Sequence, residues 1–220
     1  MVSRHALIEK RPILLASIVA ALAFYALRLS PTVPEMWLIP VKGAAVGLLA
    51  LYAFVRHGGP DARILGGAFL FAALGDMAIE IDTVAGALFF VGFHAAAIAL
   101  FLRHPREERT ASQKAAAIAM LVLTPAIFWL LPADRADAML AALYGIALGG
   151  MAACAWLSAF SRYRVGVGAL LFLVSDLLIV AQLGPLMGEP IAQWLIWPLY
   201  YLGQLLICLG VVQRLQRAEP

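Results

Sequence analysis

The stretch FLFAALGDMAIEIDTVAGALFFVGFHAAAIALFL, residues 69–102, decides how this chain is built. It contains the end of one long apolar run and nearly all of a second, and the two runs meet at Asp82 and Thr83. A connection this short predicts that two apolar helices form an antiparallel hairpin. The stretch also carries Asp76 and His94 inside the apolar runs, where ionisable side chains are unexpected.

Composition extends this interpretation to the whole chain. Of its 220 residues, 64% are hydrophobic and 13% are charged, and the mean hydropathy is +0.91. A typical soluble domain has about 25% charged residues, so this chain has too little polar surface to cover itself in water. We therefore expect an integral membrane protein. The basic residues are spread over short loops without interleaved aromatic side chains, so no nucleic-acid partner is expected.

Breaks at charged residues, prolines and glycines divide the chain into eight apolar segments. Each is close to the length of about 20 residues that a helix needs to cross a bilayer. The sequence therefore predicts an all-α, polytopic membrane helix bundle that forms one integral membrane domain over residues 1–220. The predicted transmembrane helices are residues 12–29, 37–55, 63–81, 84–103, 114–131, 136–160, 165–183 and 191–212. The first segment resembles a signal peptide, but its length and the spans after it favour an uncleaved helix.

Lysine and arginine residues in the short loops predict the orientation, because they are concentrated on the cytoplasmic side of membrane proteins. One side has only Arg28 and Arg135, whereas the side that holds both termini has thirteen basic residues. These are Arg4, Lys10, Arg11, Arg56, Arg63, Arg103, Arg106, Arg109, Lys114, Arg162, Arg164, Arg214 and Arg217. We therefore expect both termini to be cytoplasmic, in a multi-pass protein of the bacterial inner (cytoplasmic) membrane.

Several polar side chains lie inside the predicted spans. An ionisable group at membrane depth costs about 2.5–3.5 kcal/mol on insertion scales and usually serves a function. The polar residues of interest are Lys42, Asp76, His94, Asp176, Tyr200, Tyr201 and Gln204. Counting from the span ends at about 1.5 Å per residue puts most of them between the membrane centre and its outer side, with Lys42 shallower. This common depth predicts a shared site.

Simpler roles remain open for these residues. A single buried aspartate can be a neutral acid that hydrogen-bonds a neighbouring helix, and His94 can pack and donate across helices. Lys42 can extend to the outer interface, where Glu80 and Asp82 are expected to be solvated. The alanine- and glycine-rich segment of residues 138–160 is expected to serve close helix packing rather than a ligand.

Four motifs, in order along the chain, resemble those of the YhhN-type lysoplasmalogenase family of eight-span membrane proteins. The third span has Leu-Gly-Asp ending at Asp76, and the fourth has Gly-x-x-x-Phe-x-x-x-His ending at His94. The seventh span has a run ending in Ser-Asp at Asp176, and the eighth has Tyr-Tyr-x-x-Gln at residues 200–204. The resemblance covers most of the chain.

The chain departs from the family pattern at two positions. The family usually has a tyrosine three residues after the histidine, where this chain has Ala97. A Lys-Pro pair is common in its second span, whereas here Lys42 is followed by Gly43. The first change bears on the fit of a substrate and the second on a helix kink beside the lysine.

The resemblance implies hydrolysis of the vinyl-ether bond of a lysoplasmalogen, which yields a fatty aldehyde and glycerophosphoethanolamine or glycerophosphocholine. Cleavage of a vinyl ether begins with protonation of an alkene carbon and passes through an oxocarbenium ion that water attacks. Such a reaction needs a carboxylic acid that is still protonated near neutral pH. Burial raises the pKa of a carboxyl group, and a second carboxylate nearby raises it further.

On this resemblance we expect Asp76 and Asp176 to be the catalytic acid/base pair, in either order. The predicted substrate-binding residues include Lys42 for the phosphate, with others to orient water or the glycerol oxygens. These others are His94, Tyr200, Tyr201 and Gln204. One histidine and scattered carboxylates lack the spacing of zinc ligands, so neither a metal nor a cofactor is expected. The expected partners are a lysophospholipid substrate and the lipid bilayer, and the oligomeric state is left open.

Two other functions are compatible with the same residues. Intramembrane Asp, His and Lys side chains also build proton relays, so the alternative function is a transporter of lipids or small molecules. Against it, no clear pair of helices broken by glycine or proline marks a transport site. A structural or partner-binding membrane protein could use the polar groups as contacts between helices, but their common depth argues against this.

Overall fold

The computed structural model describes residues 11–30 and 32–217. These residues form eight α-helices and contain no β-strand. The helices are α1 (Arg11–Leu27), α2 (Glu35–Arg56), α3 (Pro60–Ala78), α4 (Thr83–Arg103), α5 (Ala111–Leu130), α6 (Arg135–Leu157), α7 (Val167–Ala181) and α8 (Pro190–Arg217). A π-helical turn, Arg162–Gly166, leads directly into α7. The prediction of an all-α protein is confirmed.

Six of these helices are long and apolar enough to cross a membrane, when the turn Arg162–Gly166 is counted with α7. The chain is therefore a multi-pass integral membrane protein. Two helices fall outside this group. Helix α1 has 17 residues, and α3 has 19, with Asp61, Arg63 and Asp76 inside any 18-residue stretch of it. A total of eight spans and cytoplasmic termini stay predictions.

The hairpin predicted around residues 69–102 is present. Helix α3 ends at Ala78 and α4 begins at Thr83, so four residues join them. The side chain of Asp82 starts α4, because its Oδ1 accepts a hydrogen bond of 2.7 Å from the backbone N–H of Ala85. Asp82 is thus the N-terminal cap of a helix.

The described residues divide between two compact units, one within residues 1–96 and 215–220 and the other within residues 97–214. In the first unit, α1 contacts α2, and α2 contacts α3. In the second unit, α5 contacts α6, and α6 contacts α7. Neighbours in the chain are therefore neighbours in space, as short connections require.

Local sequence explains where two helices of the second unit begin. Thr110 accepts a hydrogen bond from the backbone N–H of Gln113, whose side chain in turn accepts from the backbone N–H of Thr110. This reciprocal pair caps α5. Asp134 caps α6 by accepting from the backbone N–H groups of Ala136 and Asp137.

The end of α6 differs from the prediction. The predicted span of residues 136–160 is too long, because α6 ends at Leu157. The next residue, Ser158, has extended backbone angles and forms an isolated antiparallel β-bridge with Pro105. A backbone contact from a distant loop therefore ends the helix inside an apolar run.

Glycines let the helices of the second unit approach closely. A Cβ atom on Gly149 of α6 would lie 2.6 Å from the carbonyl oxygen of Met120 on α5 and 3.0 Å from Cβ of Thr124. Between α7 and α8, a Cβ on Gly168 or on Gly203 would lie 2.7 Å from the other's carbonyl oxygen. These distances are too short for a side chain, so backbone packs on backbone, as in other membrane helix pairs.

Adjacent glycines of α6 provide a test of this packing. We expect Gly149→Ala to lower the free energy of unfolding by about 1–3 kcal/mol, because backbone must move to admit the methyl group. Gly150→Ala is the control, since its Cβ would be 3.6 Å from Cδ1 of Ile98, an ordinary contact. Thermal unfolding in detergent measures both variants. Equal unfolding midpoints for the two would contradict the packing.

Candidate functional site

Asp76 lies on α3 in the first unit, and only 2% of its surface is exposed. The preceding residue, Gly75, lies against α4, because an added Cβ would be 3.0 Å from Cε2 of Phe90. Nearer the connection between the two helices, Gly86 of α4 lies against Ile79 in the same way. The two helices therefore pack tightly at the level of Asp76, and its side chain is buried.

His94 lies on α4 and is fully buried. Its ring is 5.3 Å from that of Phe93, measured between centroids. The contacts Gly75–Phe90 and Gly92–Phe71 define the antiparallel register of α3 and α4. In this register His94 lies about five residues, or about 7 Å, deeper than the position opposite Asp76. The two residues therefore lie at different levels of the hairpin.

Lys42 and Glu80 form an ion pair in the first unit, with Lys42 Nζ 2.5 Å from Glu80 Oε1. The side chain of Lys42 is 13% exposed and that of Glu80 is 40% exposed. The ammonium also lies 5.6 Å from the ring centroid of Phe24. The expectation that Glu80 is simply solvated is therefore corrected, since it is paired with a lysine 38 residues earlier in the chain.

The departure at Gly43 has a structural reason. A Cβ on Gly43 would lie 2.5 Å from Cγ of Met77 and 3.3 Å from the carbonyl oxygen of Ala73, so a larger residue would push α2 away from α3. Helix α2 still contains a proline, Pro40, two residues before Lys42. Close approach of α2 and α3 brings Lys42 within reach of Glu80.

Asp176 lies on α7 in the second unit and is 6% exposed. The phenol of Tyr144 on α6 donates a hydrogen bond of 2.5 Å to Asp176 Oδ2. The ring of Tyr144 stacks on that of Phe128, with centroids 6.4 Å apart. A buried carboxyl group with a short hydroxyl hydrogen bond is held in one orientation.

Tyr144 is the residue that the sequence interpretation missed. It lies in the alanine- and glycine-rich segment that was assigned to helix packing, and its glycines do serve packing. One signal was available. Tyr144 is the single phenol of the predicted span 136–160 and lies eight residues from its start, while Asp176 lies seven residues from the end of the predicted span 165–183.

Helix α8 supplies an aromatic wall within the same unit. Tyr200 packs edge-on against Phe172 of α7 at 5.1 Å between centroids, and Trp197 stacks on Tyr201 at 6.1 Å. Ser175 joins the two helices, because its Oγ donates a hydrogen bond of 3.0 Å to the carbonyl oxygen of Ile196. In this register Tyr200 lies level with the turn of α7 that leads to Asp176.

Gln204 is fully buried on α8. Neither its Nε2 nor its Oε1 has a hydrogen-bond partner among the described residues. Leaving a buried amide unpaired costs about 1–3 kcal/mol, so such a group usually has a functional reason to be there. The contact of Gly203 with Gly168 places Gln204 level with the start of α7, about two turns from the level of Asp176.

The structure thus gathers predicted residues within each unit. The first unit holds Asp76 and the Lys42–Glu80 pair, of which Glu80 follows Asp76 by four residues. The second unit holds Asp176 with Tyr144 and with the aromatic side chains of α8. Within the described part of the chain, no three His, Cys, Asp or Glu side chains are grouped so as to hold a metal ion.

Comparison with known proteins yields one match. The model of the YhhN family matches residues 37–211, which is well over half of the chain. No curated protein and no solved structure matches it. The matched region includes every residue of the candidate site described above. The chain belongs to the YhhN family.

Proposed function

We propose that this protein hydrolyses the vinyl-ether bond of a lysoplasmalogen, as a bundle of eight membrane spans with both termini cytoplasmic. The observation that carries the proposal is the near-complete burial of Asp76 and Asp176 in apolar helices. Both lie in motifs by which the chain resembles its family. The products are a fatty aldehyde and glycerophosphoethanolamine or glycerophosphocholine, and the setting is the bacterial inner membrane.

The chemistry requires an acid and a base. A carboxylic acid gives its proton to the alkene carbon next to the ether-bearing carbon, and an oxocarbenium ion forms. A carboxylate takes a proton from water as the water oxygen attacks that ion. The resulting hemiacetal releases the glycerol oxygen as an alcohol and leaves the aldehyde. Glycoside hydrolysis passes through a similar ion and also uses two carboxyl groups.

The phenol of Tyr144 supports a division of these roles. A hydroxyl donor stabilises an ionised carboxylate more than a neutral acid, and Tyr144 donates to Asp176. We therefore assign the base to Asp176 and the acid to Asp76, the other buried carboxyl group of the motifs that resemble the family. The buried amide of Gln204 and the phenols of Tyr200 and Tyr201 are proposed to orient water and the glycerol oxygens, together with His94.

The Lys42–Glu80 pair suits a zwitterionic head group. Lys42 would bind the phosphate, and Glu80 would bind the ammonium of ethanolamine or choline in exchange for Lys42. Glu80 follows Asp76 by four residues, which corresponds to about 6 Å at the rise of an α-helix. The glycerol unit places three carbons and one oxygen between the vinyl-ether oxygen and the phosphorus, a comparable length.

The first test replaces each aspartate with asparagine, which keeps the size and removes the acid. Purified protein in detergent is incubated with a lysoplasmalogen, and free aldehyde is measured. We expect Asp76→Asn and Asp176→Asn each to lower kcat by about 10²–10⁴-fold, the usual contribution of general acid–base catalysis. Tyr144→Phe should cost about 10–100-fold, since it removes one hydrogen bond to a charged group.

The control for this test is Asp137→Asn, at an exposed position in the first turn of α6, which should keep full activity. Unchanged elution on size exclusion and an unchanged unfolding midpoint show that each variant is folded. Near-normal turnover in either Asp76→Asn or Asp176→Asn would contradict the assignment of that aspartate as a catalytic residue. Absence of aldehyde in detergent together with uptake by vesicles would favour the transporter, since transport needs two compartments.

A second test concerns the head group. We expect Lys42→Gln to raise KM about tenfold or more for a lysoplasmalogen with a phosphate, because a charge-assisted hydrogen bond is lost. The value of kcat should change little, since Lys42 does not touch the reacting bond. Arg28→Gln, on the same predicted side of the membrane, is the control. A Lys42→Gln variant with unchanged KM and lowered kcat would contradict phosphate binding at this position.

A further inference from the structure

A second polar cluster occurs in the unit of residues 97–214, on its predicted cytoplasmic side. The loop after α4 is tied to the segment after α6 by backbone hydrogen bonds. Ala159 N–H donates to the carbonyl oxygen of His104 at 2.7 Å, and Arg106 N–H donates to that of Leu157 at 3.3 Å. The β-bridge of Pro105 lies between these two bonds. The loop is thus held in a defined position.

These contacts bring Arg106 next to Arg162. Arg106 Nη2 donates a hydrogen bond of 2.9 Å to the carbonyl oxygen of Phe160, two residues before Arg162. The ring of Phe160 is held in turn by His104, at 5.0 Å between centroids, and by Phe101, at 5.9 Å. The guanidinium group of Arg106 therefore lies beside the backbone segment that carries Arg162.

A third arginine joins them from α8. A Cβ on Gly210 would lie 2.9 Å from Cβ of Arg164, so the π-helical turn that begins at Arg162 rests on α8 one turn before Arg214. Burial and the positive charges of Arg162 and Arg214 lower the pKa of Arg106, which lies in the loop after α4. The direction agrees with the contact of Arg106 with Phe160 and with the packing of the π-helical turn on α8 one turn before Arg214.

No acidic group within the described residues balances this charge. The Nε atoms of Arg106 and Arg162 are buried and have no hydrogen-bond partner there. Between residues 11 and 217, without residue 31, no carboxylate forms an ion pair with either of them or with Arg214. Glu107 and Glu108 are in the same loop, but both are exposed and neither pairs with the cluster.

The general preference for basic residues on the cytoplasmic side explains the presence of arginines but not this arrangement. Two other arginines of the unit have an acceptor for at least one donor. Arg109 Nε donates to the carbonyl oxygen of Arg106, and Arg135 donates to the carbonyl oxygens of Trp129 and Pro132. At the cluster of Arg106, Arg162 and Arg214, by contrast, not every guanidinium N–H has an acceptor among the described residues.

We propose that Arg106, Arg162 and Arg214 form a binding site for a phosphate group, a chemistry shared by anionic phospholipid head groups and inorganic phosphate. Guanidinium groups match the geometry of phosphate oxygens with two parallel hydrogen bonds, and a bound anion removes the repulsion among the three. Binding would join the loop after α4, the π-helical turn and the end of α8. The site is separate from Asp176 and does not depend on the proposed hydrolysis.

The test measures the unfolding midpoint of the full chain in phosphatidylcholine bicelles, with and without phosphatidylglycerol. A ligand that binds only the folded state raises this midpoint. We expect phosphatidylglycerol to raise it for the wild type and not for the double variant Arg106→Gln/Arg162→Gln. The matched control is Lys114→Gln/Arg217→Gln, which removes two exposed charges from the same predicted side and should respond like the wild type.

A second arm replaces the anionic lipid with inorganic phosphate at constant ionic strength. A stabilisation by phosphate that the double variant lacks identifies a soluble anion as sufficient, whereas stabilisation by the lipid alone identifies a head-group site. If the double variant does not fold, Arg214→Gln at an exposed position replaces it, with an expected Kd about tenfold weaker. Equal stabilisation of wild type, cluster variants and control would overturn the proposal.

Discussion

Water does not reach a carboxyl group that is enclosed by apolar helices, and the arrangement of the site follows from this exclusion. Asp76 and Asp176 are among the few buried charged residues of the described chain. An ionisable group at this depth costs about 2.5–3.5 kcal/mol even on insertion scales. The proposed hydrolysis would use the same exclusion, because it needs an acid that water does not level.

Close helix packing lowers the cost of burying polar groups, because it brings their partners within reach. In the second unit, backbone contact at Gly168 and Gly203 brings α7 and α8 together, and Ser175 then reaches a carbonyl oxygen of α8. Tyr144 reaches Asp176 from α6 in the same way. In the first unit, Gly43 admits α3 to α2, where Lys42 and Glu80 meet. Small residues thus let the helices approach until these polar side chains are within hydrogen-bond distance of each other.

Much of the fold was predictable because it is encoded locally. Long apolar runs predict helices, and the short connection at Asp82 predicts a hairpin whichever way the helices are rotated. The burial of His94 and Gln204 was also predictable, because each lies well inside an apolar run. These features need no knowledge of which helices are neighbours.

The partners of these residues were not predictable, because they depend on how each helix is rotated about its axis. The bond from Tyr144 to Asp176 and the Lys42–Glu80 pair join residues 32 and 38 positions apart. The composition of residues 138–160 indicates packing and does not show which face meets α7. The convergence of Arg106, Arg162 and Arg214 likewise depends on a backbone bridge at Ser158 that an apolar run does not reveal.

The central claim is that buried carboxyl groups deliver a proton to carbon and thereby open a vinyl ether. Turnover of a lysoplasmalogen in D2O, with the aldehyde trapped by reduction as it forms, tests this claim directly. The account predicts one deuterium on the carbon next to the carbonyl, slower turnover than in H2O, and no aldehyde from the saturated alkyl-ether analogue. Failure to release aldehyde from the vinyl ether, or release of aldehyde without deuterium at that carbon, would contradict it.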